Sequence, residues 1–380
     1  MNKVCIISTV HNALDNRIFY REACSLNKAG YKVTLIAVHD RSEIVQGIRI
    51  ISLKRVKRSH RPFLWWKVLS FALSIKADIF HIHDPELLFI SPLLRLFSGR
   101  PVVYDIHESV ADFIDIKDDL PAVVKFFFSW TFRLLEPTCA YLQSGLIFAD
   151  NQIAGSFLNI NRPKVTLFNY PLQSFIEMGS HSPKNYNPNQ PIVLYLGGLK
   201  RNRGTTLMLD AFRIVVNKIP LAQLYLVGPF APESLADELR SEIAIRNLTK
   251  SVIITGAIPF TSVHDYLSQA SIGWIPFSPV AKYQKNIPTK LFEYMAYAIP
   301  VVSSNLTAVQ PYIEHRKNGF LVKADDPSAH ARAIIELLSD TSLSAAIGKN
   351  GQISVTENYC WTDMEKYLVS FYHQLLLLHN

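Results

Sequence analysis

The chain has no cysteines at ligand or redox spacing: Cys5, Cys24, Cys139 and Cys360 are scattered. That pattern argues against a disulfide framework or a C-x-x-C metal knuckle and predicts reduced core thiols. Nor is there a run of roughly 18 uncharged apolar residues, the length a spanning helix requires. Met1-Asn2-Lys3 leads straight into VCIIST, which reads as a first strand rather than a secretory leader. Low-complexity tracts are missing. Acidic residues are the scarcer sign, 31 against 39 basic ones, and the resulting charge of +8 invites an anionic partner. With 49% hydrophobic residues among 380, the chain has enough apolar mass for about two to three units, each with its own core.

What is present is alternation. KVCIIST, YKVTLIAV, IRIISLK, DIFHIHD, PVVYDIHE, GLIFAD and KVTLFN read as strands. Between them lie helical runs at 18–28, 64–75, 87–96 and 122–142. Strands separated by helices predict a parallel sheet. Ser180 to Pro191, SHSPKNYNPNQP, breaks the pattern and reads as a linker. A second series follows: PIVLYLGG, QLYLVG, SVIITGAI, IGWIPF, PVVSS and GFLVK, with helices between. The expected division is 1–172, a linker 173–190, 191–358, and a terminal helix 359–380.

The most informative stretch is Asn286 to Gly319. Pro288 suits a first helical turn. Leu291, Phe292 and Met295 recur at helical spacing, while Lys290, Glu293, Tyr294 and Tyr297 are expected on the opposite face. A loop-to-helix junction bearing Lys and Glu suits an anion and a neighbouring hydroxyl. A buried amphipathic helix with an incidental ion pair would share these features. The pattern P-x-K-x-F-E-Y-M-A followed by P-V-V closely resembles the nucleotide-sugar site of the family 4 glycosyltransferases, which have the GT-B fold. That resemblance implies an α/β architecture of two doubly wound Rossmann-like domains facing a cleft, with the terminal helix packing back on the first domain. It also implies a retaining, metal-independent hexosyl transfer from a UDP- or GDP-sugar, with no other cofactor.

The family's glycine turn corresponds to Gly197-Gly198-Leu199-Lys200-Arg201-Asn202-Arg203-Gly204. Glycines let amides approach a phosphate, and Arg203 adds a forked donor. Gly198 stands where relatives have Arg, so Lys290 is the candidate replacement ligand. Gly197, Gly198, Arg203, Gly228, Gly256, Asn286, Pro288, Lys290, Leu291 and Glu293 are assigned to the donor, Glu293 reading the ribose. His107, Arg203 and Lys290 are assigned to catalysis, His107 contacting the transferred sugar. Position 285 departs from the family, with Lys in place of a glutamate that contacts the donor sugar. The donor sugar's identity therefore does not carry over.

In the first half, His81-Ile82-His83-Asp84 and Tyr104-Asp105-Ile106-His107 put polar groups at strand ends. Such groups are costly unless satisfied and tend to line a cleft. Alternation puts His81 and His83 on one face without any metal. No third ligand is obvious, and no metal is assigned. His11, Asp15, Arg17, His83 and Asp84 are assigned to the acceptor side, with Asp15 and Arg17 alternatively pairing to hold their loop.

Lys54-Arg55-Val56-Lys57-Arg58 leads into Pro62-Phe63-Leu64-Trp65-Trp66-Lys67, and VVKFFFSWTF spans 123–132. Cations beside aromatic rings suit an anionic membrane surface. A solvated loop and a core helix are the plain alternatives. A peripheral enzyme on the inner face of the cell membrane, acting on a lipid-linked or polysaccharide acceptor, is expected, and nucleic acid is not. A nucleotide-sugar epimerase, a DNA-base glucosyltransferase and a non-catalytic partner subunit remain rivals.

Overall fold

Apolar strands joined through helices assemble into two separate sheets. A computed structural model describes residues 1–115, 120–182, 187, 189–259 and 262–379. Two compact units result: Met1–Asn169 with Trp361–Asn380, and Tyr170–Cys360.

In the first unit the strands are β1 (Lys3–Asn12), β2 (Lys32–Val38), β3 (Glu43–Val45), β4 (Ile48–Leu53), β5 (Ile79–Ile82), β6 (Val102–Ile106), β7 (Gly145–Phe148) and β8 (Lys164–Thr166). Their order is β3-β4-β2-β1-β5-β6-β7-β8. All pairings are parallel except the β3–β4 hairpin, an edge that the sequence did not announce. Strands buried on both faces read as continuous apolar runs, so a polar residue within one stands out. His81 and Asp105 are such residues, both fully buried.

The second unit carries β9 (Ile192–Leu196), β10 (Gln223–Val227), β11 (Val252–Gly256), β12 (Ile272–Ile275), β13 (Val301–Ser304) and β14 (Phe320–Val322). The order is β11-β10-β9-β12-β13-β14, parallel throughout. β9 lies at the centre, which places the Gly197-Gly198 turn at the carboxyl end of a middle strand, where α/β sheets bind ligands.

Three features differ from the sequence reading. Gln173–His181, inside the stretch read as linker, is a helix that packs on Lys290–Ala296. A Cβ on Gly179 would sit 2.5 Å from the Ala296 carbonyl, so glycine is what permits the approach. Residues 183–186 and 188 of the linker reading lie outside the described residues. Second, Tyr294 belongs to the core: its Oη donates to Leu194 O and accepts from Leu196 N, which ties the helix to β9. Tyr297 is buried as well.

Third, the helix Ala122–Tyr141 is inverted. Its buried residues are Ser129, Glu136 and Ala140, whereas Phe126 is 75% exposed and Phe127, Phe128, Trp130, Leu134 and Leu135 are exposed too. Glu136 accepts from Tyr104 Oη at 2.9 Å, and burial pushes its carboxyl up to about 7. The core-helix alternative for this segment is therefore incorrect. No helix among the described residues is long and apolar enough to cross a membrane.

Candidate active site

In the second unit, the site is built on left-handed glycines at strand ends. Gly197 has φ +117° and Gly228 +144°, and a Cβ on Gly228 would lie 2.3 Å from the Gly197 carbonyl. Gly228 N donates to Gly256 O, so the carboxyl ends of β9, β10 and β11 are stitched together by residues without side chains. Gly204 (φ +83°) would put a Cβ 2.0 Å from Pro276 O, which fixes the turn before the helix Thr205–Lys218. Each position requires glycine for a steric reason.

Two cations share this turn. Lys290 Nζ lies 3.3 Å from the Cβ position of Gly197, and Arg203 Nη1 lies 3.9 Å from it. Arg203 Nη1 donates to Gly198 O at 3.0 Å and Nε to Tyr283 Oη at 3.3 Å. Lys290 is only 6% exposed, and its ammonium has no hydrogen-bond acceptor among the described residues. It sits 3.7 Å above the Tyr195 ring and 5.0 Å from that of Phe277. Arg203 lies 5.5 Å over Phe277. Ring faces compensate a cation in part, but they do not replace an anion. Burial, then the nearby Arg203 charge, push the Lys290 ammonium well below the usual lysine range. The arrangement is a glycine turn flanked by two cations and walled by aromatic rings.

The remaining donor residues fall unevenly. Glu293 is half-buried and acts electrostatically on Lys290. Pro288, Lys285 and Asn286 lie just before that helix, half-buried. Leu291 is fully buried, and its amide already donates to Pro288 O, so it offers a ligand little. The helix itself spans only Lys290–Ala296, too short for its amino end to carry the binding expected of it. Tyr195, Phe277 and Tyr283 were missed, because strand and loop aromatics carry no signal beyond a core position.

The first unit gathers a buried polar cluster. Arg17 bridges it: Nε and Nη2 donate to Asp105 at 2.9 Å each, and Nη1 to Leu167 O and Asn169 Oδ1. Its Nε also lies 2.9 Å from Glu22 Oε1. Asp15 caps the turn, accepting from Arg17 N and Ile18 N, so Asp15 and Arg17 pair in this loop through the Arg17 amide, while the Arg17 guanidinium goes to Asp105. His83 Nδ1 is 3.0 Å from His107 Nε2, and both nitrogens lie near Asp105 Oδ2, at 3.4 and 3.3 Å. His81 stacks on His83 and pairs with Tyr372 Oη at 2.8 Å.

Glu22, His81, His83 and Asp105 place one ligand atom each within 4.8 Å of one another. The sequence reading found no third ligand because Glu22 lies far away in the chain. A cation could share that spacing, but the Arg17 guanidinium already spans both carboxylates and acts as the cluster's cation. Burial opposes charge on Asp105, yet Arg17 and His107 hold its carboxyl well below the usual range. Burial, then the Asp105 charge, push Glu22 well above it. Burial pulls His83 down to about 4.

Of the acceptor-side set, Arg17, His83 and Asp84 are buried, so they do not line a surface. Asp84 accepts from Ser8 Oγ and Val10 N at 2.9 and 3.1 Å and anchors the end of β1. His11, Asp15 and His107 are partly exposed, with the His11 and His107 rings 5.5 Å apart.

The comparisons with known proteins agree with this layout. A family described as Glycosyltransferase Family 4 matches residues 16–147, and one described as Glycosyl transferases group 1 matches 190–340. The Staphylococcus aureus capsular polysaccharide biosynthesis glycosyltransferase CapM is 23% identical over 184 residues, 47% of this chain and 46% of that protein. The Erwinia amylovora amylovoran biosynthesis glycosyltransferase AmsK is 26% identical over 201 residues, 50% of this chain and 48% of that protein. The chain thus spans about half the length of these curated relatives. Sucrose-phosphate synthase from Thermosynechococcus elongatus superposes over the whole of both chains, with TM-score 0.80 and 19% identity. Anabaena HepE, solved with UDP and glucose, has TM-score 0.72 and 15% identity, covering 98% of this chain and 100% of that one. Two glycosyltransferase family models thus match in succession, one on each of two parallel-sheet Rossmann-like units, and the fold is of the GT-B type.

Proposed function

We propose that the protein transfers a hexose from a UDP- or GDP-sugar to a lipid-linked or polysaccharide acceptor, with retention and without a metal or other cofactor. The observation that carries this reading is Lys290, a buried ammonium without an acceptor among the described residues, beside Arg203 and the Gly197 turn. A nucleoside diphosphate supplies the missing oxygens. HepE, which shares the fold, was solved with UDP and with UDP-glucose. CapM and AmsK are named for polysaccharide biosynthesis, which supports a glycan acceptor.

In the transfer, the bond from the anomeric carbon to the diphosphate oxygen breaks and its electron pair leaves with the diphosphate. Arg203 and Lys290 stabilise that charge. The acceptor hydroxyl oxygen forms the new bond on the same face, and its proton passes to the departing phosphate. Glu293 reads the ribose and His107 holds the transferred sugar. Product analysis against a panel of UDP- and GDP-sugars tests this. His107→Ala should lower turnover by at least about tenfold, the rate equivalent of one lost polar contact, and leave nucleoside diphosphate affinity unchanged. Full turnover in that variant makes the histidine structural.

The acceptor is reached at an anionic membrane face. The inverted helix Ala122–Tyr141 packs on the turn Pro85–Phe89, and the helix Arg61–Ile75 packs on Ser91–Ser98. Exposed Phe63, Trp66, Phe89 and Phe97 lie on these contacting elements, as do the exposed Phe126 and Trp130, and the Trp65 and Phe89 rings stack. An apolar patch of this kind marks a membrane or partner surface. Lys54, Arg55, Lys57 and Lys67 are exposed nearby in the chain, which favours anionic lipid; the side chain of Arg58 lies outside the description. Each such cation contributes about 1 kcal/mol near an anionic surface. Lys54, Arg55 and Lys57 replaced by Ser should release the protein from anionic vesicles in co-sedimentation. Phe126→Ala with Trp130→Ala should weaken binding to neutral ones. Failure of the wild type to bind anionic vesicles at low salt removes the membrane assignment.

A further inference from the structure

The first unit holds a cavity that the transfer step leaves unassigned. Its volume is about 490 Å³, within the roughly 300–1,000 Å³ that small-molecule sites occupy. Three strand ends build it. Asn12 closes β1, Val38 closes β2 with His39 and Asp40 just beyond, and Lys54 and Arg55 follow β4. These strands are neighbours and parallel, so their carboxyl ends meet on one edge, where α/β sheets take ligands. Leu14 adds apolar surface from the loop after β1.

The walls are held by bonds within the unit. Arg55 Nη2 donates to Asn12 Oδ1 at 2.7 Å, which ties the segment after β4 to the end of β1. One bond leaves most of the guanidinium's donors for a ligand. His39 Nε2 is 2.8 Å from Glu43 Oε1, and Ser52 Oγ donates to His39 O, so that wall is pinned to β3 and β4. Arg41 shares the Glu43 carboxylate, which is therefore engaged away from Lys54 and Arg55. Asp40 lines the cavity with the opposite sign, and among the described residues it forms no ion pair with either cation.

Two cations and one carboxylate around a cavity of this size suit one class of molecule. A neutral sugar gives Lys54 and Arg55 no counter-charge, and a bare anion only meets repulsion from Asp40. A sugar bearing a phosphate or a carboxylate answers both, its anion held by charge-assisted bonds and a hydroxyl donating to Asp40. Asn12 follows His11, whose ring lies 5.5 Å from that of His107. The loop 11–14 thus borders both His107 and the cavity.

We propose that this cavity is an acceptor subsite for an acidic sugar, phosphorylated or carboxylated, with Lys54 and Arg55 on its anion and Asp40 on a hydroxyl. The inference rests on the transferase reading for the use of the ligand, but not for its binding. An anionic lipid headgroup offers the same cations the same chemistry, and the experiment separates the two sources.

Glucose 6-phosphate, glucuronic acid and glucose are titrated at low salt by ligand-observed NMR. At least one acidic sugar should bind the wild type about tenfold or more tighter than glucose, the worth of one charge-assisted contact. Arg55→Met and Lys54→Met should each remove about that factor, and Lys290→Met should leave it unchanged. Asp40→Ala should narrow the preference for the acidic sugar over its bare anion, inorganic phosphate or acetate. Acidic sugars that bind no better than glucose overturn the proposal. So does binding lost in Lys290→Met and kept in Arg55→Met, which would put the anion at the Gly197 turn. Phosphatidylglycerol vesicles that hold the wild type and release Arg55→Met, with no acidic sugar bound, also overturn it, since the cations then serve headgroups. Turnover of a nucleotide sugar without acidic-sugar binding sinks this inference and leaves the transferase reading standing. Binding that follows Arg55 in a protein that turns over no nucleotide sugar does the reverse.

Discussion

Lys290→Met should abolish most nucleoside diphosphate binding and, at the same time, raise the thermal midpoint of the ligand-free protein. Both effects have one cause. The ammonium is buried without an acceptor among the described residues, so it costs stability in the ligand-free protein and gains a partner when an anion arrives. Charge-assisted contacts are worth about 1.5–3 kcal/mol, so affinity for UDP or GDP should fall at least about tenfold, and further when Arg203→Ala is added. Arg203→Ala alone should not raise the midpoint, because Arg203 already holds Gly198 O and Tyr283. The sign of the pH dependence follows. Burial holds the Lys290 ammonium below the lysine range in the free protein. A bound diphosphate raises it again, so binding takes up a proton and strengthens as pH falls. Calorimetry in buffers of different ionisation enthalpy measures that uptake. Unchanged affinity in both single variants would end the phosphate assignment.

The second large effect concerns Arg17→Met. Its guanidinium joins β6, through Asp105, to the segment after β8, through Leu167 O and Asn169 Oδ1. Breaking a buried pair by removing one partner costs about 3–5 kcal/mol, because the other charge is left behind. Denaturant unfolding should show a loss of that size. Lysine should not rescue it, since a single ammonium cannot replace a fork that meets Asp105, Glu22, Leu167 O and Asn169 Oδ1. Adding Asp105→Asn to Arg17→Met should recover part of the loss. A cost below about 1 kcal/mol, the range of an exposed pair, would show that the pair is not the anchor described.

Much of the second unit was legible because its signals are local. A glycine turn at a strand end and Lys290 at a loop–helix junction are each read within a few residues. The fold was legible for the same reason, strand and helix periods being short. The polar cluster of the first unit was not. His81, His83, Asp105 and His107 stood out as polar residues at strand ends, but Glu22 lies inside a helical run where one glutamate looks like any other. Only the pairing of β1, β5 and β6 brings it beneath them. Tyr294 was misplaced because helical spacing says which residues share a face, not how many faces are covered. In Lys290–Ala296 nearly the whole circumference is buried.

The terminal helix Trp361–His379 gives the molecule an unusual kind of seam. It follows the second unit in sequence but belongs to the first, where Tyr372 caps His81, Trp361 Nε1 donates to Ser25 Oγ, and Phe371 and Leu375 fill the space over Gly145. The chain therefore passes between units twice, at 169–170 and again at 360–361. A nonsense codon or frameshift anywhere in the second half strips the first unit of its last layer, so no residue 1–169 fragment is a complete unit. During synthesis, the first unit stays open over Gly145 and His81 until residues 361–379 leave the ribosome, and the second unit is whole before the first is.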